Sequence, residues 1–147
     1  MTKSPQEAIR TWMDIFMHRS MRNWHNFARS VGLSMPQFSI LMQLHHRGGC
    51  AVSDIGERFD ITNAAASQLV DKLVQAGYIE RTEDPSDRRS KLLNIAPKGL
   101  ALIEQGTQVR HRWMDELVQS LSAEERAKVT EALTILTETA QRSEEKE

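Results

Sequence analysis

A chain of 147 residues with one cysteine, 19 basic and 20 acidic side chains has room for one packed domain, or for two small lobes, and for no internal disulfide. Its net charge of −1 excludes any function that depends on a globally basic surface, so a nucleic-acid contact would have to come from local arrangement. The opening MTKSPQEAIR lacks the apolar run of a secretory signal, and no apolar stretch reaches the ~20 residues of a membrane span, so a cytoplasmic protein without membrane contact is expected.

Residues Pro5 to about Val31 read as a first helix. Ile9, Met13, Phe16, Ser20, Trp24, Phe27 and Val31 recur at spacings of three and four, and Gly32 ends the run. Ser34 predicts the N-cap of a second helix, with Gln37 at the capping-box position, Leu33 stapled onto Phe38 and Gly48–Gly49 as the stop. SDIGERF predicts a short third helix capped by Ser53, with Ile55 and Phe59 inward. After a tight connection at Asp60–Ile61, Thr62 caps a fourth helix that Gly77 ends; Ala66, Leu69, Val70 and Leu73 form its apolar face.

YIERTED and KLLNIA read as strands, and DPSDRRS joins them as a hairpin. Pro97 opens a fifth helix with a seam at Leu102, Gly106, Val109, Trp113, Leu117 and Leu121. SAEE at Ser122–Glu125 is a capping-box start for a sixth, lined by Val129, Leu133, Leu136 and Ala140. The predicted fold is therefore mainly α with a small β-hairpin (α+β): six helices in a winged helix-turn-helix layout, whose fourth helix would enter a major groove.

The series LVDKL…GYIER…DPSDRR…L…PKG, spread through residues 61–102, resembles the recognition-helix, strand and wing signature of the MarR family of bacterial transcription regulators. The resemblance implies a homodimer on double-stranded DNA carrying an inverted-repeat operator. It further implies dimerisation helices at 1–32 and 98–147 around a DNA-binding lobe at 33–97, and release from DNA by a small aromatic or anionic effector. Two positions depart from the family pattern. The recognition helix starts without an arginine, and Ala96 stands where a Thr N-cap is common.

The outward face of the fourth helix would be Asn63, Ala64, Ser67, Gln68, Asp71 and Lys72, with Ala65 at its edge. Asn and Gln can pair with adenine N6 and N7, and an alanine methyl can meet a thymine methyl, so this face suits A·T readout. The hairpin adds Arg88, Arg89 and Lys91. One arginine is expected to enter the minor groove and the other to be braced by Asp71 or Asp87. Ser34, Gln37, Ser39, Ser53 and Thr62 are candidates for phosphate contacts at helix starts. His18, Met17, Arg22, Trp24, Met42 and His45 are candidates for an effector cleft. His45, His46 and Cys50 lack metal-ligand spacing, and no nucleophile-elbow or phosphate-loop motif occurs; no metal, no cofactor and no enzymatic activity are expected. A second reading is a helical dimerisation or adaptor module that does not bind DNA, which the Asn/Ala/Gln face and low charge would also suit.

Overall fold

The computed structural model describes residues 4–87 and 91–144. Within them the elements run α1 (Pro5–Ser30), α2 (Met35–Arg47), α3 (Val52–Phe59), α4 (Asn63–Gln75), β1 (Ile79–Glu83), β2 (Lys91–Ile95), α5 (Pro97–Ser120) and α6 (Ala123–Glu144). This is the six-helix, one-hairpin architecture expected.

The helix starts follow local chemistry. Ser4 and Glu7 close a reciprocal capping box on α1, and Ser34 and Gln37 do the same on α2. Thr62 Oγ1 accepts the Ala65 N–H at 3.1 Å to cap α4. The third helix differs from expectation. Its N-cap is Ala51, and the Asp54 carboxylate accepts the Ala51 N–H at 2.8 Å; Ser53 lies inside the first turn instead. A carboxylate at N3 satisfies an orphan donor and favours the positive helix end, so it outcompetes a hydroxyl one residue earlier.

The chain divides into two compact units, one through Arg110 and one from His111. The core of the first draws on every element there. Trp24 and Ala28 of α1, Phe38, Ile40, Leu41 and Leu44 of α2, and Ile55 of α3 are buried with Ala66, Val70 and Leu73 of α4. Ile79, Leu93, Leu102 and Ile103 complete the cluster. The expected lobe at 33–97 is thus too narrow as a packing unit: the end of α1 and the start of α5 belong to the same core. Each large aliphatic side chain buried here stabilises the fold by roughly 1.5–3 kcal/mol.

The hairpin is antiparallel, from Ile79 opposite Ile95 to Glu83 opposite Lys91. Asn94 Nδ2 donates to Thr82 Oγ1 across the strands at 2.8 Å. Cys50 adds a one-residue bridge on the other edge of β2, exchanging both backbone hydrogen bonds with Leu93 at 2.8 and 3.1 Å.

The junction after α4 is tightly built. Gly77 turns left-handed (φ 79°), Tyr78 N–H reaches the Leu73 carbonyl and Gly77 N–H the Val74 carbonyl, both at 2.9 Å. Ala96 N–H then donates to the Tyr78 carbonyl at 2.9 Å, and the methyl of Ala96 is buried at the position before Pro97. Lys98 Nζ donates to the Ala76 carbonyl at 2.7 Å and stands 4.7 Å from the Tyr78 ring centre. A Cβ at Gly99 would collide with the Tyr78 carbonyl and come within 2.8 Å of Ile95 Cγ1.

In the second unit, Ser122 and Glu125 form the predicted capping box at 2.8 and 3.2 Å. The Ser122 backbone N–H first, and then its hydroxyl, hold the Glu125 carboxyl below its ordinary range. No residue of α6 is buried, and the predicted lining residues Val129, Leu133 and Leu136 are exposed, as is Ile135 at 57%. On α1, Trp12, Met13, Ile15, Met17 and Met21 are exposed as well.

Candidate nucleic-acid interface

The corner between α3 and α4 is short because Asp60 takes a left-handed conformation (φ 51°, ψ 47°). There Asp60 N–H reaches the Glu57 carbonyl and Ile61 N–H the Gly56 carbonyl, at 3.3 and 3.0 Å. Asp is among the few residues that adopt this region at small cost. The corner brings α4 hard against α3: a Cβ at Gly56 would lie 2.8 Å from Asn63 Oδ1.

Burial of Ala66, Val70 and Leu73 fixes the rotation of α4. Asn63, Ala64, Gln68 and Lys72 are left exposed, and Ala65, Ser67 and Asp71 half-buried at the margins. At 13 residues the helix is about 20 Å long, which fits a major groove about 12 Å wide. The exposed face carries two amides, a methyl and one ammonium group.

Asp71 is held by Arg81 of β1, in an ion pair whose side chains are 49% and 38% exposed. At Asp71 the partner among the described residues is thus an arginine within the strand itself. At this exposure the pair contributes about 0–1 kcal/mol, so its use is to orient rather than to stabilise. Lys91 stands 3.6 Å from Glu83, its register partner. Asp84 Oδ1 accepts the Ser86 hydroxyl at 2.7 Å and the Ser86 N–H at 2.8 Å. These bonds, the hydroxyl first, lower the Asp84 carboxyl, so the turn is favoured above the ordinary carboxylate range and loosens as pH falls through it. Asp87 N–H donates to the Asp84 carbonyl at 3.2 Å. Arg88 and Arg89 lie outside the described residues.

One of the phosphate candidates is spent elsewhere. Gln37 is 7% exposed, and its Oε1 accepts both the N–H and the hydroxyl of Ser34, at 2.9 and 3.1 Å. Gln37 serves the cap of α2 instead of facing outward. Exposed Thr62 accepts the Ala65 N–H, which leaves its hydroxyl proton able to donate outward. Ser53 is exposed in the first turn of α3 and Ser39 half-buried on α2.

The effector candidates do not converge. Met17, His18 and Arg22 are exposed on α1, and His45 is exposed on α2. Trp24 is a core residue, edge-on to Phe38 at 4.7 Å, with the Arg110 guanidinium 5.1 Å from its ring centre. Met42 alone of the six lines a pocket of about 410 Å³, with Ser39, Gln43, His46, Arg47 and Arg58. Sequence reasoning had not singled out Gln43, Arg47 or Arg58; their spacing along α2 and beside Gly56 carried no recognisable motif.

Among the described residues no three His, Cys, Asp or Glu side chains could share a metal ion, and no helix is long and apolar enough to cross a membrane. Burial, reinforced by Asp54, raises the Cys50 thiol above its ordinary value. Folding thus favours the protonated thiol, and this contribution fades as pH rises into the range where an unfolded chain would ionise. Iodoacetamide at pH 8 should therefore modify Cys50 far more slowly in the folded protein than in urea. Equal rates, read by mass spectrometry, would contradict the burial.

The MarR family model matches residues 33–91. The HTH-type transcriptional regulator MhqR of Bacillus subtilis is 31% identical over 69% of this chain and 70% of its own length. YfiV of the same organism, named as an HTH-type transcriptional regulator, is 30% identical over 72% of this chain and 66% of its own. The match to such relatives thus spans about two thirds of their length. Among solved structures, the transcriptional regulator Tm0710 from Thermotoga maritima is 25% identical with a TM-score of 0.85, covering 94% of this chain and 96% of that one. An S. aureus MepR variant bound to an oligodeoxyribonucleotide shares the fold, with a TM-score of 0.70, 22% identity, and coverage of 90% and 97%. Corner, recognition helix, hairpin and these likenesses agree: the chain belongs to the MarR family.

Proposed function

We propose that the protein is a sequence-specific, DNA-binding transcriptional regulator, a homodimer on an inverted-repeat operator, that represses by competing with polymerase and is released by a small aromatic or anionic ligand. The observation that carries this is the outward face of α4: Asn63, Ala64 and Gln68 are exposed on a helix whose rotation is fixed by its buried side and whose approach is set by the corner at Asp60. A helix meant only for packing would gain nothing from two exposed amides at its start. The wing supports the reading through Lys91 and, from the sequence, Arg88 and Arg89.

The dimer is supported by the exposed apolar side chains of α6 and of α1, which are too many to leave in water on a stable monomer. Two-fold symmetry then sets recognition helices about 34 Å apart, one turn of DNA. A regulator of DNA acts in the cytoplasm and needs no catalytic group.

Selection from random duplex by the purified full chain, followed by sequencing, tests the reading. An inverted repeat with half-sites one turn apart is the expected product, A·T-rich where α4 reads it. No enrichment at low salt would favour the adaptor module instead. The modest number of cations per protomer predicts a shallow salt dependence, with a slope of about −0.9 per phosphate contacted.

A further inference from the structure

Gly56 is buried in the second turn of α3, and its carbonyl accepts the Ile61 N–H at 3.0 Å across the corner. Glycine weakens a helix interior relative to alanine. The backbone does not require it here: the left-handed glycines are Gly32, Gly48 and Gly77. What Gly56 supplies is space, and the start of α4 fills it. A Cβ at Gly56 would stand 2.8 Å from Asn63 Oδ1 and 3.1 Å from the Ile61 carbonyl oxygen.

The two neighbours yield differently. The Ile61 oxygen is backbone and has to give only a few tenths of an ångström, whereas Asn63 Oδ1 is the far end of a side chain that can turn away. Asn63 is the first residue of α4 and exposed; the cap of that helix is Thr62. Among the described residues no hydrogen bond holds the Asn63 amide, so its placement follows from the room above Gly56. An amide reads a base edge only when its oxygen and its NH2 group are aligned with that edge. We propose that Gly56 is a positioning residue for sequence recognition, given α4 as the reading helix: by lacking a side chain it lets the Asn63 amide lie back against α3, and that placement aims the amide at its base.

Gly56→Ala in the full chain tests this. A crystal structure of the variant reads the amide without DNA, and fluorescence anisotropy on the selected operator and on random duplex reads the consequence. The Asn63 side chain should be displaced, and the thermal transition should stay at or above that of the wild type, because alanine favours the helix. Preference for operator over random duplex should fall about tenfold, the worth of one amide contact, with random duplex bound as before. In an Asn63→Ala background, Gly56→Ala should change operator binding by less than about twofold. A role in packing alone would weaken both duplexes and act equally in both backgrounds, and that result overturns the proposal. So does an Asn63 side chain left in place. Asn63→Gln keeps Gly56 and carries the amide one methylene further, so the test does not depend on the glycine variant folding. It should lose the preference too, and full wild-type preference would overturn the proposal. A wild type without operator preference fails the proposed function itself; a preference that survives Gly56→Ala fails only the role of Gly56.

Discussion

Asn63→Ala/Gln68→Ala is expected to bind its selected operator about 100-fold more weakly while binding random duplex almost as before. Each amide that pairs with a base edge is worth about 1–3 kcal/mol of discrimination, and α4 presents two of them exposed near its start. The substitutions should leave the fold alone. Alanine is the better helix former, the Thr62 cap is untouched, and neither side chain belongs to the core. Fluorescence anisotropy on both duplexes reads the effect. An equal loss on operator and random DNA would mean that the two amides touch phosphate rather than bases, and no loss on either would remove α4 as the reading helix.

The second large effect is on stability. Phe38→Ala should cost about 3–5 kcal/mol, a large part of the 5–15 kcal/mol that holds a domain together. Phe38 is 1% exposed and meets Trp24 edge-on at 4.7 Å and Phe27 at 6.0 Å, so it joins α1 to α2 through one ring. Urea unfolding of the wild type and the variant at equal protein concentration measures the difference. A loss below about 1 kcal/mol would show that the surrounding rings close over the gap, and that the junction does not depend on Phe38.

Most of the fold could be read from local chemistry. Ser34 with Gln37, Thr62, Gly77, Pro97 and Ser122 with Glu125 each act within four residues, so their roles are visible in a short window of sequence. The errors have the same origin. Ser53 and Asp54 are adjacent and both cap helices; only the backbone decides that Asp54 reaches Ala51. Gln37 is legible both as a cap and as a DNA contact, and its burial leaves it to the cap.

What the sequence hid was non-local. Asp71 meets Arg81, which lies two positions beyond buried Ile79 and so shares its side of the strand, facing α4. The period-two spacing from Ile79 to Arg81 carries that signal. The pairing of Cys50 with Leu93 left none, because a one-residue bridge has no periodicity. The pocket of Arg47 and Arg58 left none either, since it forms only when two helices pack.

The junction at Tyr78 has a mechanical consequence. Its carbonyl accepts from Ala96, its ring lies under Lys98, Lys98 binds the last turn of α4, and Gly99 admits no side chain beside it. These contacts couple the end of α4 to the first turn of α5, so a twist applied at the start of α5 is passed on to α4.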